Sequence, residues 1–276
     1  MLRHAVLGPG GIGALVAATL ARAGREVVLL VRPPSLRSYP GRIQIESVVL
    51  GSFAVDVDAE SQLSREVEVL WVTPKAIMLD AAVGLAPPEQ VRRAAVVPLM
   101  NGIDHVARLR GRYELVVAGA IRVESERGPD WRVHQKTPFI RVELGPGGEE
   151  IAGELRAAGI ECTVRDDEAE VLWQKLAFLA PVALTTSASA SRSVPCATIH
   201  SGAHGSKELR RRSLRSPARR GSRSTRMRSV PSMATVPGAT QSSMQKDVAA
   251  GHQPELDAIA GPILRGGARA TAWMCS

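Results

Sequence analysis

Three glycines at fixed spacing supply the first candidate chemistry. Gly8, Gly10 and Gly13 stand in "VLGPGGIGALV" as Gly-x-Gly-x-x-Gly. A strand-like run precedes them and a helical one opens on them, the setting this spacing requires. Gly8 permits a tight turn, Gly10 lets a pyrophosphate approach the backbone, and Gly13 lets helix and strand pack closely. The start of the helix then offers free N–H groups and a partial positive charge to phosphate. Gly8, Gly10, Gly11, Ile12 and Gly13 are read together as a dinucleotide-binding stretch.

The end of the next strand carries no acid to hold a ribose 2′-hydroxyl. Arg32 stands there instead. An arginine suits a 2′-phosphate, so the cofactor expected is NADPH/NADP. Two more polar points follow strand-like runs: Lys75 after "EVLWVTP" and Asn101, with Gly102, after "AVVPLM". Open parallel sheets bind ligands beyond such strand ends. Asn-Gly is equally a favoured turn pair, so Asn101 alone leaves both readings open.

The elements that must position these residues are legible in outline. Ala5–Leu7 and Val27–Val31 are short apolar, β-branched runs of the kind buried in a parallel sheet. Between them Ile12, Leu15, Val16, Thr19 and Leu20 recur at helical spacing, and Gly24 is a natural stop. Strand-like runs at 67–73, 94–98 and 115–121, with a helical stretch at 76–85, continue an alternating α/β pattern. The fold class expected is an N-terminal Rossmann-type doubly wound sheet over residues 1–165. A mainly helical domain over 166–276, expected to be incomplete, should follow it.

The totals exclude several function classes. The formal charge of +8 points toward a polyanion partner until it is located. Residues 191–236 hold eleven bases and one acid, Glu208, while the other 24 bases and 26 acids leave the remainder at −2. Cys162, Cys196 and Cys275 show no metal-ligand spacing, so no metal site is expected and a reduced, cytoplasmic setting fits. No apolar run approaches the roughly 20 residues of a membrane span, and no signal peptide is read at the N-terminus.

The ordered set is more specific than the glycines. "VLGPGGIGALVAATLARAGREVVLLVR", "VLWVTPKA", "PLMNGIDH", "EVLWQKLAF" and "SSMQKDVAAGHQPELDAIAGPILR" together resemble the ketopantoate reductase (2-dehydropantoate 2-reductase) family. The resemblance runs from about residue 4 to 188 and resumes over 242–265. It implies NADPH-dependent reduction of 2-dehydropantoate to pantoate, on the route to pantothenate and coenzyme A. It also implies a possible homodimer. By this resemblance Lys175 is the catalytic lysine and contacts substrate, and Asn101 lies between nicotinamide and substrate. Lys75 and Glu255 belong to the cofactor site, Glu255 at its junction with the substrate, and Ser243 binds the substrate. A lysine ammonium suits the chemistry, since hydride addition turns a carbonyl oxygen into an alkoxide that needs charge and a proton. Burial in the apolar stretch Trp173–Phe178 would lower the lysine pKa toward the working pH. The family often carries asparagines one and two turns after this lysine, where this chain has Leu179 and Ala183. A related reductase of another 2-keto acid, or a cofactor-binding but catalytically impaired remnant, are the alternatives.

One segment departs from everything around it. Arg and Ser fill 20 of the 46 positions from 191 to 236, and only eight are Val, Ile, Leu or Met. With prolines at 195, 217, 231 and 237, amphipathic helices are not expected there, and the composition reads as disordered. A reading-frame slip near residue 190, a compensating one near 238 and a third near 267 would produce this pattern. The rival reading is a basic arm over 204–230 that binds nucleic acid through phosphates alone, having no aromatic residue to stack on bases.

Overall fold

The computed structural model describes residues 2–190 and 242–272. The basic stretch 191–236, with its disorder, frame-slip and nucleic-acid readings, lies outside the described residues. The chain divides into two compact units, residues 1–100 with 105–171, and residues 101–104 with 172–276.

The first unit is built on five strands: β1 (Arg3–Leu7), β2 (Glu26–Leu30), β5 (Asp58–Glu60), β6 (Val69–Val72) and β7 (Ala95–Pro98). They form a parallel sheet in the order β5-β2-β1-β6-β7, with Leu7 opposite both Leu30 and Val72. Val69–Val72 and Ala95–Pro98 are buried throughout, as expected of strands covered on both faces. Helix α1 (Gly11–Arg22) crosses from β1 to β2 and buries Leu15, Val16 and Leu20. It ends at Gly24, whose N–H donates to the Ala21 carbonyl (2.9 Å). The Rossmann-type reading holds here.

The sequence reading missed a second sheet. β3 (Arg42–Ser47), β4 (Gly51–Asp56), β9 (Ser125–Arg127) and β10 (Arg132–Gln135) pair in the order β4-β3-β10-β9. All four strands contact α1, which therefore lies between two sheets. Ile43 and Ile45 alternate with Arg42, Gln44 and Glu46, and their burial joins the main core. β8 (Gly119–Arg122), β11 (Arg141–Leu144) and β12 (Glu161–Val164) form a third sheet in the order β12-β11-β8. The run expected over 115–121 is strand only from Gly119. Before that, Val116 makes an isolated parallel bridge to Val96. The helical stretch expected over 76–85 is a 3-10 turn (Ala76–Met78) followed by a short helix (Leu79–Val83).

Two buried polar clusters tie the first unit together. Glu143 on β11 accepts from Arg122 and from Arg165 (2.7 Å). Burial pushes its carboxyl up, but the two guanidiniums together hold it below the usual carboxylate range. His4 on β1 is fully buried beside Trp71, whose indole N–H donates to its Nδ1 (3.2 Å). Its Nε2 lies 3.7 Å from the Glu154 carboxylate, which also pairs with Arg25.

The second unit contains α7 (Glu168–Ala190) from Leu172 onward, α8 (Ser243–Ala249) and α9 (Leu256–Ala272). Leu176, Ala180, Ala183, Met244, Ile259 and Ile263 form its buried cluster. Helix α9 runs on past Arg265 to Ala272. Among the described residues no helix is long and apolar enough to cross a membrane.

Burial drives the His4 pKa down to about 4, so the fold holds the neutral imidazole. An unfolded histidine titrates at the ordinary 6.5, so the unfolded chain binds more protons between those values. The stability that neutral His4 contributes is complete above pH 6.5 and is lost as pH falls toward 4. Thermal unfolding should show the midpoint dropping across that window, with a shallower drop in His4→Gln.

Candidate functional site

The glycine turn is held from three sides. Gly8 has φ +75, a conformation that side chains disfavour, and its N–H donates to the Leu30 carbonyl of β2 (3.3 Å). Thr73, just past β6, donates its hydroxyl to the carbonyls of Leu7 and Gly8 (both 2.9 Å). Pro74 lies over the turn, 2.9 Å from where a Gly8 Cβ would sit. Thr73 was not singled out from sequence. Its signal is a hydroxyl at the end of the strand that neighbours the turn.

The glycines do different work. A Cβ on Gly11 would overlap the Ser125 backbone of β9, and one on Gly13 would overlap the Thr73 hydroxyl. A Cβ on Gly10 would meet nothing within 4 Å. Gly11 is therefore a packing glycine, and Gly10 is the one that faces open space. No side chain caps the start of α1 and no acid stands in its first turn. Ile12 is partly buried and packs on the main core. These residues fit a dinucleotide: an uncapped helix start, an open approach over Gly10, and no negative charge against phosphate.

Arg32 follows β2 directly, at the residue capping α2 (Pro33–Arg37), and it is exposed. It makes no ion pair among the described residues. An acid does come close across the sheet, because β5 sets Glu60 opposite Leu30. Its carboxylate accepts from the Ser64 N–H (3.0 Å). Lys75 is exposed on the loop after β6.

In the second unit, Asn101 donates its amide to the Glu255 carboxylate (3.1 Å), across 154 residues of sequence. Glu255 is 8% exposed. Gly102 has φ +85, and a Cβ there would overlap the Ala258 carbonyl of α9. Asn-Gly is thus both a turn and a close docking point, and the docking holds Asn101 near the start of α9. Lys175 sits half-buried in α7, and the Leu176 beside it enters the buried cluster. Of the two adjacent serines, Ser242 is the structural one. It accepts from the Gln245 N–H (3.1 Å) and bonds the Thr186 hydroxyl (2.7 Å). Ser243 is exposed on the first turn of α8. Among the described residues no cluster of His, Cys, Asp or Glu could hold a metal ion.

With this geometry the chain can be set beside known proteins. The model of the family "Ketopantoate reductase PanE/ApbA" matches residues 4–149. The chain belongs to this family. Its members include oxidoreductases of the 2-dehydropantoate 2-reductase type. The 2-dehydropantoate 2-reductase of Caulobacter vibrioides is 31% identical over 190 residues, 64% of this chain and 61% of that protein. The chain thus matches about three-fifths of the length of such curated relatives. In fold, it resembles a PanE/ApbA family ketopantoate reductase from Ralstonia eutropha JMP134. The TM-score is 0.83 at 22% identity, over 98% of this chain and 93% of that one. It also resembles D-mandelate dehydrogenase with NADH and anilino(oxo)acetate. There the TM-score is 0.78 at 17% identity, over 98% and 93% of the two chains.

The glycines separate packing from approach, and equilibrium unfolding tests the separation. Gly11→Ala should destabilise the chain by about 1–3 kcal/mol, as other overpacked sites do. Gly10→Ala should leave the unfolding midpoint nearly unchanged.

Proposed function

We propose that this chain is an NADPH-dependent reductase of a 2-keto acid, 2-dehydropantoate being the substrate the family name suggests and pantoate the product. The open approach over Gly10, at the uncapped start of α1, carries this reading. A dinucleotide pyrophosphate fits that place, with Gly8 and Gly13 keeping the turn tight and Ile12 packing beneath it. Arg32 would pair with a 2′-phosphate, since it is exposed where an NAD-binding chain would carry an acid. Lys75 would supply a further positive charge to the cofactor.

The bound cofactor supplies a hydride to the 2-keto carbon. Every other task falls to the chain. The Lys175 ammonium stabilises the oxygen as it becomes an alkoxide and gives it a proton, which the amine regains from solvent. Asn101 and Glu255 are fixed to each other, so a buried carboxylate orients the amide at the site. Ser243, the exposed serine of its pair, is the hydroxyl available to a substrate. The proposed setting is a homodimer in the cytoplasm, on the route to pantothenate.

The test is loss of reduced nicotinamide absorbance when NADPH and 2-dehydropantoate are added together to the purified chain. Absence of NADPH binding at millimolar levels would sink the reading. NADPH binding without turnover of any 2-keto acid would leave a cofactor-binding remnant. Lys175→Met should lower kcat by about 10²–10⁴-fold, the usual contribution of a general acid, with NADPH affinity retained. Arg32→Ala should cost about tenfold to a hundredfold in NADPH affinity, the scale of a charge-assisted contact, and leave NADH affinity unchanged.

A further inference from the structure

We infer that Thr73 is a positioning residue for the dinucleotide, and that its hydroxyl acts on the pyrophosphate end of the site. The inference rests on the dinucleotide reading of the glycine turn. It starts from the two carbonyls on either side of Gly8. The Leu7 carbonyl accepts from the Thr73 N–H (3.0 Å) and from the Thr73 hydroxyl (2.9 Å). The Gly8 carbonyl accepts from the Gly10 N–H (2.7 Å), which closes a three-residue turn on Pro9, and from the same hydroxyl (2.9 Å). Each carbonyl thus has a backbone donor of its own. The hydroxyl is not needed to satisfy either one.

What the hydroxyl adds is direction. Gly8 sits in the left-handed region, and Pro9 has no N–H to tie the turn down. The hydroxyl and the Gly8 carbonyl both lie under Gly13. A Cβ there would stand 2.2 Å from the hydroxyl oxygen and 3.2 Å from the carbonyl oxygen. A Cβ on Gly10 would meet nothing within 4 Å. The carbonyl is therefore held on the closed side of the turn, off the open side over Gly10. The first N–H groups of α1, those of Gly11, Ile12 and Gly13, have no partner within the helix, and no side chain caps them.

A pyrophosphate is an anion, and a carbonyl oxygen turned toward it repels it. N–H groups at a helix start attract it. Which of the two the ligand meets depends on the rotation of the Gly8–Pro9 peptide. The Thr73 hydroxyl fixes that rotation from the end of β6, before any ligand arrives. Such a fixed arrangement spares the ligand the cost of ordering the turn. The benefit goes to ligands that carry a pyrophosphate. An adenosine end, placed at Arg32 after β2, draws nothing from it. Thr73 is thereby distinguished from Gly13 and Pro74, which serve the turn by packing.

Two ligands titrated into the full chain make the test: NADPH, and adenosine 2′-phosphate, which keeps the adenosine end and lacks the pyrophosphate. Thr73→Ala should weaken NADPH by roughly threefold to tenfold, the scale of one hydrogen bond. It should move adenosine 2′-phosphate by less than about twofold, as expected of a distant site. Thr73→Ser keeps the hydroxyl and should bind NADPH as the wild type does. An NADPH loss below about twofold in Thr73→Ala overturns the inference. So does an equal loss of both ligands, which is what a merely structural role produces. If Thr73→Ala does not fold, Thr73→Val is read in its place, and failure of both to fold overturns the inference. If the wild type binds NADPH but not adenosine 2′-phosphate, the contrast between Thr73→Ala and Thr73→Ser decides alone. A wild type that does not bind NADPH overturns the dinucleotide reading and this inference together.

Discussion

The backbone of α1 approaches its neighbours more closely than a side chain would permit, and the first unit depends on that approach. A Cβ on Gly11 would overlap Ser125, and a Cβ on Gly13 would overlap Thr73. The two contacts lie on different sheets, one on β9 and one at the end of β6. The helix is thus clamped at its first turn before its apolar face begins to pack. Leu15, Val16 and Leu20 then bury against a core drawn from both sheets, each worth about 1.5–3 kcal/mol if fully removed from water. The clamp also sets what the first turn can do. Gly10 stands just before the two packing glycines, and a Cβ there would meet nothing within 4 Å, so the open side of the turn is fixed by the closed ones.

Four strands of the parallel sheet were legible because they are largely continuous apolar runs bounded by turn residues; the edge strand β5, Asp-Ala-Glu, was not. The second sheet was not, although Ile43 and Ile45 alternate plainly with polar neighbours. Alternation identifies a half-buried strand but says nothing of what covers it. Here the cover is α1, a helix whose other face already has a partner. A helix buried on two faces looks, in sequence, like one with a broad apolar stripe. The strand expected over 115–121 forms only from Gly119. Val116 and Val117 are buried beside β7, but only Val116 pairs there before the chain turns away into the third sheet.

The candidate site was legible by residue type and less so by role. Asn101 stood out as a polar residue past a strand end, yet Asn-Gly reads equally well as a turn. The turn reading holds, because the positive φ of Gly102 lets the turn dock on Ala258. Glu255 could not be tied to Asn101 without the fold, since 154 residues separate them. Adjacent Ser242 and Ser243 are indistinguishable in sequence. A helix cap has one position, and the serine that fills it turns inward to Thr186 while its neighbour stays outside. The acid missing near Arg32 was a statement about sequence distance. Glu60 reaches Leu30 across strands, where only sheet topology brings it.

Lys175 shows how one helix serves two demands. Among the described residues the second unit buries few large side chains, and α7 supplies Leu176, Ala180 and Ala183 to their cluster. A polar residue at any of those positions would lie among apolar neighbours and need a partner of its own. The helix therefore concentrates its polarity in Gln174 and Lys175 and stays apolar for the next nine residues. That economy stabilises the cluster, and the helix that carries the lysine also carries the packing. A second polar group one turn on would have to replace Leu179, which packs against that cluster.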